Sequence, residues 1–194
     1  MQQCDWAFLG EVTSTESFTR PVFVVQTRFF EEGFVIAVYP ESPQPRGLNF
    51  AKVMVGDTIA LLVPRKKTFM DGREGVRLEQ LNTCWVFKAT LADVMDEANK
   101  LLSAQDAKAQ KTDVTCFSCK KVAKSCCGKC KKAYFCSREC QTKAWPRHKL
   151  LCPDSSKLLA LASIPRYTAH PGSAGEGLTW DNIRGYKPLP SPPA

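Results

Sequence analysis

The 194-residue chain has only two histidines and nothing close to the ~20 consecutive apolar residues of a membrane helix. The scarcity of histidine leaves little for imidazole catalysis. His148 falls in a cysteine-rich stretch, and His170 lies in a Pro/Gly-rich segment with no rigid frame for a Cys–His pair. The lack of a long apolar run excludes a membrane helix and with it a membrane partner. The opening MQQCDWAFLG also lacks the basic start of a secretory signal, and Asp5, Gly10 and Glu11 interrupt its first apolar run. These absences lead us to expect a nuclear or cytoplasmic protein. In such a reducing compartment the ten cysteines serve as thiols or metal ligands in preference to disulfides.

What the sequence does have is clustered sulfur. Eight of the ten cysteines fall between Cys116 and Cys152, and seven of them join one histidine in four pairs: Cys116-x2-Cys119, Cys127-x2-Cys130, Cys136-x3-Cys140 and His148-x3-Cys152. Zinc takes four thiolate or imidazole ligands in a tetrahedron, and four protein ligands close the site to substrate. Eight ligands therefore predict two structural zinc ions. A Cys-x2-Cys pair suits a tight turn, whereas Cys136/Cys140 and His148/Cys152 are four apart and can share a helical face. Ser137 is a good N-cap for the helix carrying Cys140, and Pro146 stands where a second short helix could begin. Trp145, Tyr134 and Phe135 are the apolar material for a miniature core, too small to fold without metal. Cys126 adjoins Cys127; the two-residue spacing to Cys130 favours Cys127 as ligand and leaves Cys126 a spare thiol.

Residues 112–153 hold ten Lys+Arg against two Asp+Glu, so the formal charge of +8 lies wholly there. Seven thiolates and two Zn²⁺ lower that excess to about +5. A solvated basic face that offsets the metal centres is the plainest reading. Acidic protein partners or nucleic acid are the alternatives, although no helix combines a basic stripe with base-reading residues.

The stretch Tyr-Phe-Cys-Ser-x2-Cys-Gln-x3-Trp-x2-His-Lys-x2-Cys from Tyr134 to Cys152, with the two Cys-x2-Cys pairs before it, resembles the MYND-type zinc finger. The resemblance implies an interleaved cross-brace. Cys116, Cys119, Cys136 and Cys140 would hold the first zinc, and Cys127, Cys130, His148 and Cys152 the second; spacing alone leaves sequential pairing open. It also implies an adaptor that binds short proline-containing peptides of the P-x-L-x-P kind in partner proteins, in a setting such as transcriptional or chromatin regulation. The groove residues carried over are Gln141 and Trp145. One alternative is a nucleic-acid binder using the basic finger or the β domain; another is an accessory or fragment of a SET/MYND lysine methyltransferase. An Asn-His-Ser-Cys-like stretch and a Gly-rich cofactor segment are both missing, so we expect no enzyme.

Upstream, apolar runs at Trp6–Val12, Pro21–Phe30, Phe34–Tyr39, Thr58–Val63 and Val76–Lys88 are rich in Val, Ile, Phe and Thr and are bounded by turn residues. They predict five or six strands and an OB-like or related small barrel. The two signs of charge nearly balance there, against a nucleic-acid groove, and Arg65-Lys66-Lys67 reads as a solvated turn. This part resembles the domain preceding MYND fingers in some fungal proteins. Cys4 and Cys84 lie in apolar stretches as small buried side chains. Thr90 caps a helix whose Leu91, Val94, Met95, Ala98, Leu101 and Leu102 share a face, expected to pack on the barrel.

The expected organisation is α+β: a barrel-like β domain with a C-terminal helix at 1–102, a helical extension or linker at 103–112, the finger at 113–153, and a mostly disordered tail at 154–194 with a short helix at Lys157–Ile164. The tail ends in Lys187-Pro188-Leu189-Pro190-Ser191-Pro192-Pro193, close to the ligand type of the finger itself and a candidate to cover its groove.

Overall fold

The computed structural model describes residues 7–17, 19–27, 33–40 and 48–164. The described residues divide into two compact units: 7–55 with Ile59–Trp85, and Gly56–Thr58 with Val86–Ile164.

Short runs rich in β-branched and aromatic residues give the first part most of its strands: β1 (Ala7–Ser17), β2 (Pro21–Gln26), β3 (Phe34–Val38), β4 (Thr58–Leu62), β5 (Lys66–Thr68), β6 (Glu74–Leu78) and β7 (Cys84–Phe87), ordered β5-β6-β3-β2-β1-β4-β7. The pairs β1–β2, β2–β3 and β5–β6 are antiparallel, and β3–β6 is parallel. All five residues of β3 are buried, as a strand covered on both faces requires. Phe8 packs on Phe34 at 4.7 Å between ring centroids, and Ile36, Ile59 and Leu61 are at most 1% exposed. Gly75 permits the parallel pair, because a Cβ there would stand 2.0 Å from the Val35 carbonyl oxygen.

Three differences from the sequence reading stand out. The described pairings run in an open series from β5 to β7, so the sheet is there but the expected barrel closure is not among them. The run Val76–Lys88 is broken by a 3-10 turn at Leu81–Thr83 into β6 and β7. Lys66 and Lys67, read as a turn, form β5, a short exposed strand of the kind that guards a sheet edge. Lys66 pairs with Glu74 on β6 at 2.6 Å.

In the second unit, Thr90 Oγ1 accepts a hydrogen bond from the Asp93 N–H at 3.2 Å and starts α1 (Leu91–Ala109). This helix runs through most of the segment expected to be an extension or linker. Its buried residues are Val94, Met95, Glu97, Ala98, Leu101 and Ala104. Within its own unit α1 packs on α3 (Ser155–Ala162), whose Leu158 and Leu161 are wholly buried, and on α2 (Arg138–Leu151). Within this unit the stripe serves the finger's helices: elements flanking a small metal unit supply the apolar area it lacks. A fully buried Leu contributes about 1.5–3 kcal/mol to such packing.

Ser137 caps α2, accepting from the Cys140 N–H at 3.3 Å. Pro146 lies inside this one helix rather than at the start of another. It cannot donate to the Thr142 carbonyl, but both residues are exposed, so water can satisfy that oxygen. A two-stranded ribbon, β8 (Ser125–Cys126) and β9 (Tyr134–Phe135), joins the two cysteine turns to α2. Among the described residues no helix is long and apolar enough to cross a membrane. Cys4, His170 and the proline-rich tail end fall outside the described residues.

Candidate metal centre

Two matching turns present the first ligands. In one, the Lys120 N–H donates to the Cys116 carbonyl at 3.1 Å; in the other, the Lys131 N–H donates to the Cys127 carbonyl at 2.9 Å. Each turn closes on a lysine in the left-handed region, with φ of 61° at Lys120 and 59° at Lys131. The Ser118 N–H points at Cys116 Sγ from 3.4 Å. Such turns aim amide dipoles at sulfur and so favour the thiolate. Burial alone would raise Cys116 and Cys127, but backbone N–H groups outweigh it and pull both thiols down to about 6.

The four pairs converge in two groups. Cys116, Cys119, Cys136 and Cys140 form one and Cys127, Cys130, His148 and Cys152 the other, with donor atoms in each lying within 4.8 Å of one another. This is the interleaved set, first pair with third and second with fourth. A zinc tetrahedron with Zn–S bonds of about 2.3 Å has ligand–ligand edges of about 3.8 Å. The structure gives 3.4 Å for Cys119–Cys136, 3.5 Å for Cys136–Cys140, 3.9 Å for Cys127–Cys152 and 3.7 Å from Cys130 Sγ to His148 Nε2. These separations are far above the ~2.05 Å of a disulfide. The donor sets and spacings fit two zinc ions, each enclosed by four protein ligands. Such ions supply folding energy rather than a reactive coordination position.

The second group is the more enclosed. His148 and Cys152 are each 2% exposed and Cys127 is 1% exposed. His148 presents Nε2 to the thiols, while its Nδ1 lies 2.6 Å from Glu97 Oε1 on α1. Burial works against a proton on His148, but the Glu97 carboxylate and the neighbouring thiols prevail and lift it to about 9. Surroundings that attract a proton at Nε2 attract a metal cation there as well. Asp93, one turn earlier on α1, accepts from Arg147 of α2. Sequence reading missed Glu97. Its only signal was position, since it sits three residues after Val94 and four before Leu101 on a face otherwise apolar.

The remaining predicted residues are distributed as follows. Phe135, 1% exposed, does form the miniature core, joined by Phe117 at 6.0 Å between ring centroids; Tyr134 is half-buried. Trp145 is not core, being 40% exposed on α2, and Gln141 lies half-buried one turn before it. The indole lies 5.9 Å between ring centroids from His148, so Trp145 is covered on that side and open on the other. Cys126 lies on β8 outside both groups, and Cys84 is buried with its thiol pushed up to about 12.

Comparison with known proteins agrees with the geometry. The family model for the MYND finger matches residues 116–152. Zinc finger MYND domain-containing protein 10 homolog of Drosophila melanogaster is 56% identical over 41 residues, 21% of this chain and 9% of that protein. N-lysine methyltransferase SMYD2-B of Danio rerio is 60% identical over 38 residues, 19% of this chain and 8% of its own. N-lysine methyltransferase SMYD2 of Homo sapiens is 51% identical over 37 residues, again 19% and 8%. The matched stretch spans less than a tenth of the length of these relatives. Residues 116–152 are a MYND zinc finger, a protein-interaction module built on two Cys/His clusters.

Proposed function

We propose that this chain is a non-enzymatic adaptor whose finger takes up short proline-containing peptides of partner proteins along the Gln141/Trp145 face of α2. The observation that carries this reading is the exposure of Trp145, at 40%, in a unit that buries its other large aromatic side chains more deeply. An indole kept in water costs apolar stabilisation, and aromatic platforms of this kind are what extended proline-rich segments dock against. Gln141, one helical turn away, offers an amide to the peptide backbone. Both zinc sites use four protein ligands, which supports a scaffold role for the metals. The methyltransferase likeness is confined to the finger, so the chemistry of those relatives gains no support from it.

The test is a peptide array probed with the whole chain, wild type beside Trp145→Ala and Gln141→Ala, after two zincs per chain have been counted in each. Proline-containing peptides held by wild type and lost in both variants would support the adaptor. Binding that follows the lysines and falls steeply with salt would replace it with a nucleic-acid reading.

A further inference from the structure

We propose that Glu97 is a positioning residue of the second zinc site, so that α1, which lies outside residues 116–152, is part of the finger's metal centre. A carboxylate on the apolar face of an amphipathic helix is costly unless it is paired and hydrogen-bonded. Glu97 is 8% exposed, between Val94 and Leu101, and its Oε1 is 2.6 Å from His148 Nδ1, 51 residues further along the chain. With the proton on Nδ1 donated to this carboxylate, the lone pair of Nε2 faces Cys130 Sγ, 3.7 Å away. The bond fixes tautomer and ring orientation together, and the negative charge raises the basicity of Nε2. No residue within 116–152 supplies a carboxylate for this purpose: its one acidic residue, Glu139, is fully exposed at the start of α2 and turned toward Ser137.

The first group has nothing comparable, being made of four thiols. Loss of Glu97 should therefore weaken one zinc and spare the other. A purely structural link between α1 and α2 would behave differently, and the Asp93–Arg147 pair provides that control because it joins the same helices without touching a ligand.

The experiment uses the whole chain with two zincs, titrated with a chromophoric chelator, for wild type, Glu97→Ala, Glu97→Gln and Asp93→Asn. Glu97→Ala should lower second-site affinity about 10–100-fold and leave the first unchanged. Glu97→Gln, whose amide oxygen still accepts from Nδ1–H, should recover most of it, and Asp93→Asn should alter neither. Long-range ¹H–¹⁵N NMR of wild type should place the His148 proton on Nδ1. Unchanged affinity in Glu97→Ala, equal loss at both sites in Glu97→Ala and Asp93→Asn, or a proton on Nε2 would each overturn the assignment. If Glu97→Ala does not fold, the His148 Nδ1–H proton resonance decides the matter: bonded to the carboxylate it should lie far downfield in wild type and move upfield in Glu97→Gln, and a resonance that does not move between the two would overturn the assignment.

Discussion

The first zinc group draws all four thiols from residues 116–140, with Cys119 exposed and only Cys116 buried; the second buries three of its four donors and rests its histidine on Glu97 of α1. Ligand count is the same and enclosure is not. The first group staples a surface ribbon and turn. The second sits where α1, α2 and α3 meet, since Leu151 and Cys152 are 1% and 2% exposed and lead directly into α3. The finger is thus joined, through the histidine of its second ligand group, to a helix outside residues 116–152.

Breaking the comparison at its strongest point means removing a ligand from each side. Structural zinc binding is worth on the order of 10 kcal/mol, more than a unit of this size can forfeit. Cys152→Ser should abolish the second site and with it much of the helix signal in circular dichroism, because α1 and α3 lose their anchor. Cys119→Ser should lose the first zinc yet keep most of that signal. Equal loss of helix in the two variants would mean the sites are not differently embedded.

A smaller effect comes from packing alone. Leu161→Ala in α3 empties a fully buried position and should cost about 2–5 kcal/mol, read as a lower melting temperature of the zinc-loaded chain. Val122→Ala, beside the first cysteine turn and 52% exposed, should change stability by less than about 0.5 kcal/mol.

Acidity sharpens the contrast more gently. Burial lifts the Cys152 thiol to about 12 and neighbouring thiols lift Cys136 of the first site as far, so each site must displace one such proton and these cancel in a comparison. His148, at about 9, is the further proton that only the second site gives up at neutral pH. Cys127, at about 6, is already a thiolate. Because His148 is raised, its proton is lost only as pH climbs through about 9, so the ratio of second-site to first-site affinity should rise from pH 7 to 9 and level off above. Below about 6, protonation of Cys116 and Cys127 should loosen both sites. Chelator competition across this range is the measurement, and a ratio independent of pH would contradict the role given to His148.

Much of the site could be read from sequence because its information is local. Cys-x2-Cys spacing dictates the turns, and Ser137 and Thr90 cap the helices their positions suggest. The x3 pairs do not share a helical face as expected but straddle the ends of α2, with Cys136 just before its N-cap and Cys152 at its C-cap. Glu97 could not be read as a partner of His148, since that contact depends on α1 and α2 coming together across 51 residues. Trp145 could be read from sequence either as core or as a groove residue; Phe135 and Phe117 fill the core and leave the indole 40% exposed. In the β region the runs located most strands. The parallel β3–β6 pair and the edge strand of lysines depend on register between distant segments, which periodicity does not carry.

The inequality of the two metal sites is tested most directly by withdrawing zinc slowly from the intact chain while alkylating freed thiols, with native mass spectrometry to count metal and peptide mapping to locate the label. The account predicts a one-zinc intermediate labelled at Cys119, Cys136 and Cys140 while Cys127, Cys130 and Cys152 remain protected. Simultaneous loss of both ions, or first labelling at Cys127, Cys130 and Cys152, would contradict it.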